Sequence, residues 1–595
     1  MRKLLISLII LCSASTVSYA ITCSYLEEVF DSDSLVKDTQ TYLRDLDTLL
    51  IWIEDLHPLP YARISKEDFQ IAFNRAKKEV ESLKNEKEFL YIVSELLKEL
   101  RDSHTGISLG VWYKETLDKT HKTGTYLPKL INVDSGLYVM SDGSGNLSSG
   151  DEINEINGFS SSDIFFKALK LSPIEGNSFL SNNRAAGRLC VATALHDSPE
   201  GSDLFINGIE YLPIKQTKKK KKRFTGINWD FENEISYLKI STFSSTFNRK
   251  YSKAIKRGFK ELNKSRNKNI KCLVIDLRGN TGGYLNKMLE IFDYLPVEKN
   301  VRVKPNSYIF RKSPESNESV SKYYKGVYKK IVEKRSDKNE EFRHIRKVAE
   351  LKMGEIDTLF FKNTELVELD KWKGQTILLI DGISASASVA FASYFKKFKL
   401  GYILGEPCMG PLSGTFGDPV LRVLPESGVS IEISTARMVL FDDYTIGSRS
   451  IQPHRWVQWS IDDLISENDP FNEAIQDCIN FPEVGQISRL HLKESELLWT
   501  ELDKVFSKER LWGGEVRSAV WSKILNADEC ISKCTGDIGC AETVRDCEDR
   551  RNIAIKVSLP ISLRSVFDEI FYPQKPAVLH FGIHNRADCK VCKPN

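Results

Sequence analysis

Ser386 lies in the run Asp381-Gly382-Ile383-Ser384-Ala385-Ser386-Ala387-Ser388, where an apolar strand passes through small residues straight into a helix. That geometry suits a nucleophile, because backbone N–H groups at a helix start can hold a developing oxyanion. The alanines on either side of Ser386 would let a substrate backbone come within bonding distance. A small-residue turn of this kind also serves plain close packing. A second turn, Asp276-Leu277-Arg278-Gly279-Asn280-Thr281-Gly282-Gly283, ends another apolar run. If the two strands are neighbours, both turns open at one sheet edge, where α/β proteins assemble their sites. One glycine N–H, from Gly282 or Gly283, would then join the Ala387 N–H in a two-donor oxyanion hole. The competing reading of Gly282-Gly283 is a tight turn without a ligand. Nucleotide binding is disfavoured, because the stretch lacks the Lys-Ser/Thr of a P-loop and the spacing of a dinucleotide fingerprint.

The strands that must position these turns are expected at Cys272–Ile275, Ile377–Ile380 and Tyr402–Leu404, continuous apolar runs of the fully buried kind. Leu285, Met288, Leu289 and Phe292 mark a helical face after the first, and Phe391, Phe395 and Phe398 another after the second. This α/β pattern runs from Ile235 to about Asn480. From about Thr39 to Arg101 the apolar spacing is helical, with Phe89, Ile92, Val93, Leu96, Leu97 and Leu100 in one stripe. His57-Pro58 breaks that region once, and Asp102-Ser103-His104-Thr105 follows its last helix. Residues from about Tyr126 to Ile214 read as β-rich, with turn-forming stretches such as Ser141–Asn146. Gly150–Gly158 reads there as a turn, a short strand and a second turn. The basic run Lys218–Arg223 reads as a solvated loop rather than a nucleic-acid or membrane site. A charged, lysine-rich segment between about Arg302 and Asp370 has the character of an insertion or lid.

Cys272–Gly283, Ser384–Ser388 and Gly405-Glu406-Pro407-Cys408-Met409-Gly410, taken in that order, resemble the C-terminal processing (tail-specific) peptidases and their tricorn-core relatives. The likeness extends to the His57-Pro58 region and to Ser460–Pro470, so it covers roughly residues 40–480. It also takes in Gly150–Gly158, which is similar to an element of PDZ-like domains, binders of extended peptides. The resemblance implies a crotonase-like α/β core and serine endopeptidase chemistry, with Ser386 as the matching nucleophile.

That family activates its serine in two ways. In the processing peptidases the base is a lysine in a Gly-Lys-Gly-Thr turn, and the matching position here is Pro411, so a Ser–Lys dyad is excluded at that site. In the tricorn-like branch a histidine in an Asp-Ser-His setting does the work, and Asp102-Ser103-His104 fits. An imidazole with its ordinary pKa of about 6.5 can take a proton from a hydroxyl and return it to a leaving amine. A glutamate beside a Gly-Ile-x-Pro-Asp segment orients the pair in that branch. Gly447 stands here at the glutamate position and His454 at the aspartate. Asp442 or Asp443 could substitute if the loop shifts, and Ser103 could still hydrogen-bond His104. Loss of an orienting acid usually leaves diminished rather than zero catalysis.

With 595 residues, 41% hydrophobic and 28% charged, the chain is neither wholly disordered, nor collagen-like, nor a polytopic membrane protein. Lys and Arg exceed Asp and Glu by only 3, which gives no bulk electrostatic case for nucleic acid. Arg2 and Lys3, the apolar run Leu4–Leu11 and Ser18-Tyr19-Ala20 form a secretory signal. The product is therefore expected to be secreted or periplasmic, without stable membrane insertion. Cys530, Cys534, Cys540, Cys547, Cys589 and Cys592 crowd the end, and in an oxidising compartment they read as a disulfide-stapled module. The competing reading is zinc held by His580, His584, Cys589 and Cys592. Cys23, Cys190, Cys272, Cys408 and Cys478 read mostly as buried thiols.

The expected organisation is a signal peptide (1–20), an N-terminal helical domain carrying Asp-Ser-His (21–120), a PDZ-like β domain (121–223), an α/β peptidase core with an insertion at about 302–370 (224–484), and a helical, cysteine-rich end (485–595). The expected function is a secreted serine endopeptidase of extracytoplasmic proteins, needing no metal or organic cofactor. The alternative is a catalytically weak or inactive peptide-binding protein on the same scaffold.

Overall fold

The computed structural model describes residues 38–120, 127–133, 136–176, 178–211, 226–232, 234–244, 248–264, 269–297, 302–313, 346, 350–360, 369–441, 446 and 450–480. Asp442, Asp443, Gly447, the signal segment, Cys23, the basic run and the cysteine-rich end lie outside these residues. The chain divides into two compact units. One runs to Pro453 and includes Gln458–Pro470; the other consists of His454–Val457 and the chain from Phe471 on.

The first unit begins with three helices, α1 (Thr39–Leu56), α2 (Lys66–Val80) and α3 (Glu86–Lys98). Each has a side-chain cap: Asp38, Ser65 and Asn85 accept N–H groups of Gln40, Asp68 and Glu88, which would otherwise be orphaned. The stripe Phe89 to Leu100 is buried against α1 and α2 as its spacing requires. The chain then turns through 101–105 into β1 (Gly106–Ile107) and α4 (Leu109–Thr120).

The next stretch departs from its β-rich expectation. A hairpin of β2 (Lys129–Val133) and β3 (Gly136–Ser141) precedes β4 (Glu155–Ile156) and β5 (Phe159–Ser160), the strand and turn expected at Gly150–Gly158. Two helices follow, α5 (Ser161–Leu171) and α6 (Phe179–Asp197), before β6 (Phe205–Ile206) and β7 (Ile209–Glu210). Ser160 caps α5 by accepting the Asp163 N–H. In α6, Ala186, Gly187 and the whole run Cys190–Leu195 are buried. A helix covered nearly all round carries no one-sided apolar stripe, so periodicity does not reveal it.

The main sheet holds β8 (Ile227–Glu232), β9 (Ile235–Ile240), β10 (Cys272–Asp276), β13 (Gln375–Ile380) and β14 (Tyr402–Gly405). Its order is β14-β13-β10-β9-β8, parallel except for β8. Helices α7 (Asn248–Leu262), α8 (Leu285–Phe292) and α9 (Ala387–Lys397) cover it, with Met288, Phe292, Phe391 and Phe395 in the core. A second sheet has the order β1-β16-β11-β12, with β15 also on β16, from β11 (Ser307–Arg311), β12 (Ile356–Phe360), β15 (Gly414–Val423) and β16 (Ser430–Val439). Both ends of the expected insertion are thus strands of this sheet. α10 (Ile461–Ile465) closes the unit, and in the other unit α11 (Phe471–Asn480) buries Phe471, Ile475 and Cys478. Cys190, Cys272, Cys408 and Cys478 are buried, as expected of them.

Candidate active site

Strands β10 and β13 are direct parallel neighbours, Asp276 lying opposite Leu379, so the turns after them leave the same sheet edge side by side. Neutral groups knot the two turns together. Ala385 N–H and Ser388 Oγ both donate to the Asn280 carbonyl, at 3.1 and 2.9 Å, and Ser384 Oγ donates to the Leu277 carbonyl at 2.9 Å. Asp381 accepts the N–H groups of Gly279, Ile383 and Ser384. Burial pushes the Asp381 carboxyl above the ordinary carboxylate range, and the Gly279 N–H only partly offsets this. Arg278 holds Asp276 and, bidentately at 2.9 Å, Asp469, which fastens the Ser460–Pro470 segment to the glycine turn.

Of the three alternating serines, Ser384 and Ser388 are fully buried, and Ser386 alone is left at the surface of the turn. Its backbone is left-handed, φ 53° and ψ −116°, immediately before α9. Such a conformation is costly for a non-glycine residue and occurs where a side chain must be aimed.

The glycine turn abuts it. Gly282 has φ +106°, and a Cβ there would lie 2.7 Å from Ser386 Cβ and 2.9 Å from Ala387 N, so only glycine fits. Its N–H is donated to Asn280 Oδ1 at 2.8 Å, which removes Gly282 from the pair of expected oxyanion donors. Gly283 is different: its bridge to Phe243 uses the Gly282 carbonyl and the Tyr284 N–H, leaving its own N–H off that ladder. The Ala387 N–H, at the first helical position, has no partner within the helix.

His104 arrives from the N-terminal helices. β1 pairs with β16, Gly106 opposite Glu432, and Ser108 N–H donates to the Ser430 carbonyl, so the 101–105 turn is stitched to the second sheet. Ser386 Oγ and His104 Nε2 are 3.1 Å apart, and the imidazole is 19% exposed. Ser103 Oγ is 3.4 Å from His104 Nδ1. Asp102, wholly buried, accepts the His104 backbone N–H at 2.9 Å and the Thr105 hydroxyl at 2.6 Å, and lies 3.1 Å from His57 Nε2. The Leu59 N–H donates to His57 Nδ1 at 3.1 Å, so Nε2 carries the proton given to Asp102. Burial opposes ionisation of Asp102, yet the hydrogen bond from His57 and the fields of His57 and His104 hold its carboxyl well below the ordinary range.

Glu175, on the α5–α6 connection, is a residue that no motif marks. Its Oε2 accepts both the N–H and the hydroxyl of Ser103, at 2.9 and 2.8 Å, and its Oε1 pairs with Arg63 at 2.8 Å. Asn280 is the second residue missed; its buried amide also donates to the Ile240 carbonyl. Ligand atoms of Asp102, His104 and Glu175 lie within 4.8 Å of one another, but donors already occupy the carboxylates and the Arg63 cation sits beside them. That environment suits an ion-pair network better than a metal ion.

A hydroxyl on a strained turn, an imidazole within hydrogen-bond reach and backbone N–H groups at a helix start can together carry acyl transfer. The chain is a serine-type peptidase. Residues 234–457 match the family model for peptidase family S41. No curated protein sequence matches it. Among solved structures, mature CPAF is similar at 12% identity and TM-score 0.47, over 76% of this chain and 97% of that one. The photosystem II D1 C-terminal processing protease is similar at 13% and 0.36, over 71% and 94%. The tricorn protease is similar at 15% and 0.33, over 74% and 37%.

Proposed function

We propose that this chain is a secreted endopeptidase that cleaves extracytoplasmic proteins by a Ser–His mechanism. The observation that carries the reading is the 3.1 Å approach of Ser386 Oγ to His104 Nε2 across 282 positions of sequence. In the proposed reaction His104 Nε2 takes the Ser386 proton as Oγ attacks the scissile carbonyl carbon. The Gly283 and Ala387 N–H groups receive the oxyanion, and the imidazolium passes its proton to the departing amine. Water, activated by the same imidazole, then hydrolyses the acyl-enzyme. The segment from β2 to β7 would hold the substrate as a PDZ-like domain does, by strand addition. Export is supported by Arg2, Lys3 and the apolar run that follows; among the described residues no helix is long and apolar enough to cross a membrane.

The test is labelling of purified protein by a serine-directed fluorophosphonate, with the modified residue located by mass spectrometry, beside cleavage of unfolded casein. Wild type should label on Ser386 and cleave. Ser386→Ala and His104→Ala should each reduce cleavage by at least about 10⁴-fold. Equal inactivity of wild type and Ser386→Ala across pH 6–9 would favour the peptide-binding alternative.

A further inference from the structure

We propose that Glu175 is the positioning acid of the Ser386–His104 pair, acting through the Ser103 hydroxyl; this rests on the Ser–His reading above. For Nε2 to accept the Ser386 proton, the imidazole must carry its own proton on Nδ1. Among the described residues, two groups face Nδ1. Asp102 Oδ1 is 3.8 Å away, beyond hydrogen-bond reach, and already accepts the His104 backbone N–H. Ser103 Oγ is nearer, at 3.4 Å, but a hydroxyl can either donate or accept. Glu175 decides which. Because Oε2 takes the Ser103 proton at 2.8 Å, Ser103 turns a lone pair toward Nδ1 and favours the tautomer that leaves Nε2 free. Without that acceptor the hydroxyl could rotate and donate to Nδ1, placing the ring proton on Nε2, where it faces Ser386 and base catalysis stops.

The rest of the setting fixes Glu175 for this task. The residue is 0% exposed, its N–H donates to Ser178 Oγ, and the Gly176 N–H donates to the Arg101 carbonyl, which ties the connection to the turn bearing His104. Arg63, also buried and lying over the Phe416 ring at 5.3 Å, supplies the countercharge to Oε1. Among the described residues, the groups around the imidazole are therefore Ser386, Ser103, Asp102 with His57 behind it, Glu175 with Arg63 behind it, and Glu432, which acts on His104 through its charge. The acid expected near Gly447 is thus supplied from the α5–α6 connection, which belongs to the segment proposed to bind substrate.

The experiment measures the rate of Ser386 labelling by the fluorophosphonate from pH 5 to 9 in full-length wild type, Glu175→Leu, Ser103→Ala and the double variant, with circular dichroism and melting temperature for each. Each single variant should slow labelling about 10²-fold or more, and the double variant should be no slower than the worse single, since both cut one chain of hydrogen bonds. Glu175→Leu removes the acceptor, whereas a glutamine would keep one, and it should also move the acid limb of the rate profile to lower pH, because a negative charge that favours the imidazolium is gone. Ser103→Ala leaves the Arg63–Glu175 pair intact, so it answers the question even if Glu175→Leu fails to fold. Wild-type rates in Ser103→Ala, losses that multiply in the double variant, or an unmoved acid limb would each overturn the proposal. If wild type labels Ser386 and His104→Ala abolishes labelling, such results remove Glu175 alone. If wild type does not label there, the Ser–His reading fails and the positioning role fails with it.

Discussion

The two turns that meet at Ser386 and His104 are held by different physics. The Ser386 turn is fastened by short-range, mostly neutral bonds between adjacent strands, from Ser384, Ser388 and Ala385 to carbonyls of the glycine turn. The His104 turn is fastened by buried carboxylates that reach distant segments, Asp102 accepting from the His57 ring and Glu175 paired with the Arg63 cation. Each turn has an aspartate that accepts several hydrogen bonds, Asp381 and Asp102, and the two are shifted in opposite senses. Asp381 accepts N–H and hydroxyl groups, the fields of Arg188 and Glu406 oppose each other, and burial dominates, raising it. Asp102 receives an imidazole proton as well, which outweighs burial and lowers it. One half of the site is therefore set by backbone geometry and the other by electrostatics.

The largest effect should come from Gly282→Ala, which strikes the rigid half. The added methyl meets Ser386 Cβ, the Ala385 carbonyl and the Ala387 N–H within 3 Å, and the φ is unfavourable. We expect phosphonate labelling to slow at least about 10²-fold, as for other ångström-scale displacements of reacting groups, with the melting temperature moving far less than the rate. Labelling at the wild-type rate would mean that the turn yields, and the contrast in rigidity would be lost.

Next is Asp102→Asn, which strikes the charged half. Removing a buried carboxylate that accepts from the His57 ring, the His104 N–H and the Thr105 hydroxyl should cost about 2 kcal/mol of stability, measured by urea unfolding at pH 7.

Acid titration separates the two aspartates. Asp102, depressed in the folded state, contributes stability above the ordinary carboxylate value of about 4, and that contribution is lost as pH falls through this value toward its own lower one. Asp381, raised in the folded state, costs stability at neutral pH, and the cost is relieved as pH falls through its raised value. Melting temperature should therefore decline less steeply with acid in Asp102→Asn than in wild type, and more steeply in Asp381→Asn. Parallel curves for all three proteins would show that the two halves do not differ in this way.

The smallest effect should come from Ser388→Ala. It deletes one hydrogen bond to a carbonyl that still accepts the Ala385 N–H, a loss of about 1 kcal/mol with an unchanged labelling rate.

This contrast also explains which parts of the molecule can be read from residue order. Strands β10, β13 and β14 and the turns after the first two are legible because continuous apolar runs followed by small residues allow few conformations. Within Ser384–Ser388, alternation alone cannot say which serine is exposed; a left-handed backbone at Ser386 decides it. The choice between Gly282 and Gly283 was open for a similar reason, since it depends on where the Asn280 side chain sends its acceptor. Helix α6 escaped because it is buried on nearly every side. Glu175 and Arg63 escaped because a buried charge is recognisable only by its partner, and these partners are more than a hundred positions apart.

One consequence follows from the pairing of β1 with β16. The short strand that delivers the imidazole is made near the beginning of the chain, and the strand it docks on is not complete until Val439. A growing polypeptide on the ribosome thus holds Ser386 and His104 on unassembled pieces. On the proposed mechanism such a precursor cannot cut its neighbours or itself, and destructive capacity switches on only when nearly the whole catalytic body has emerged and closed.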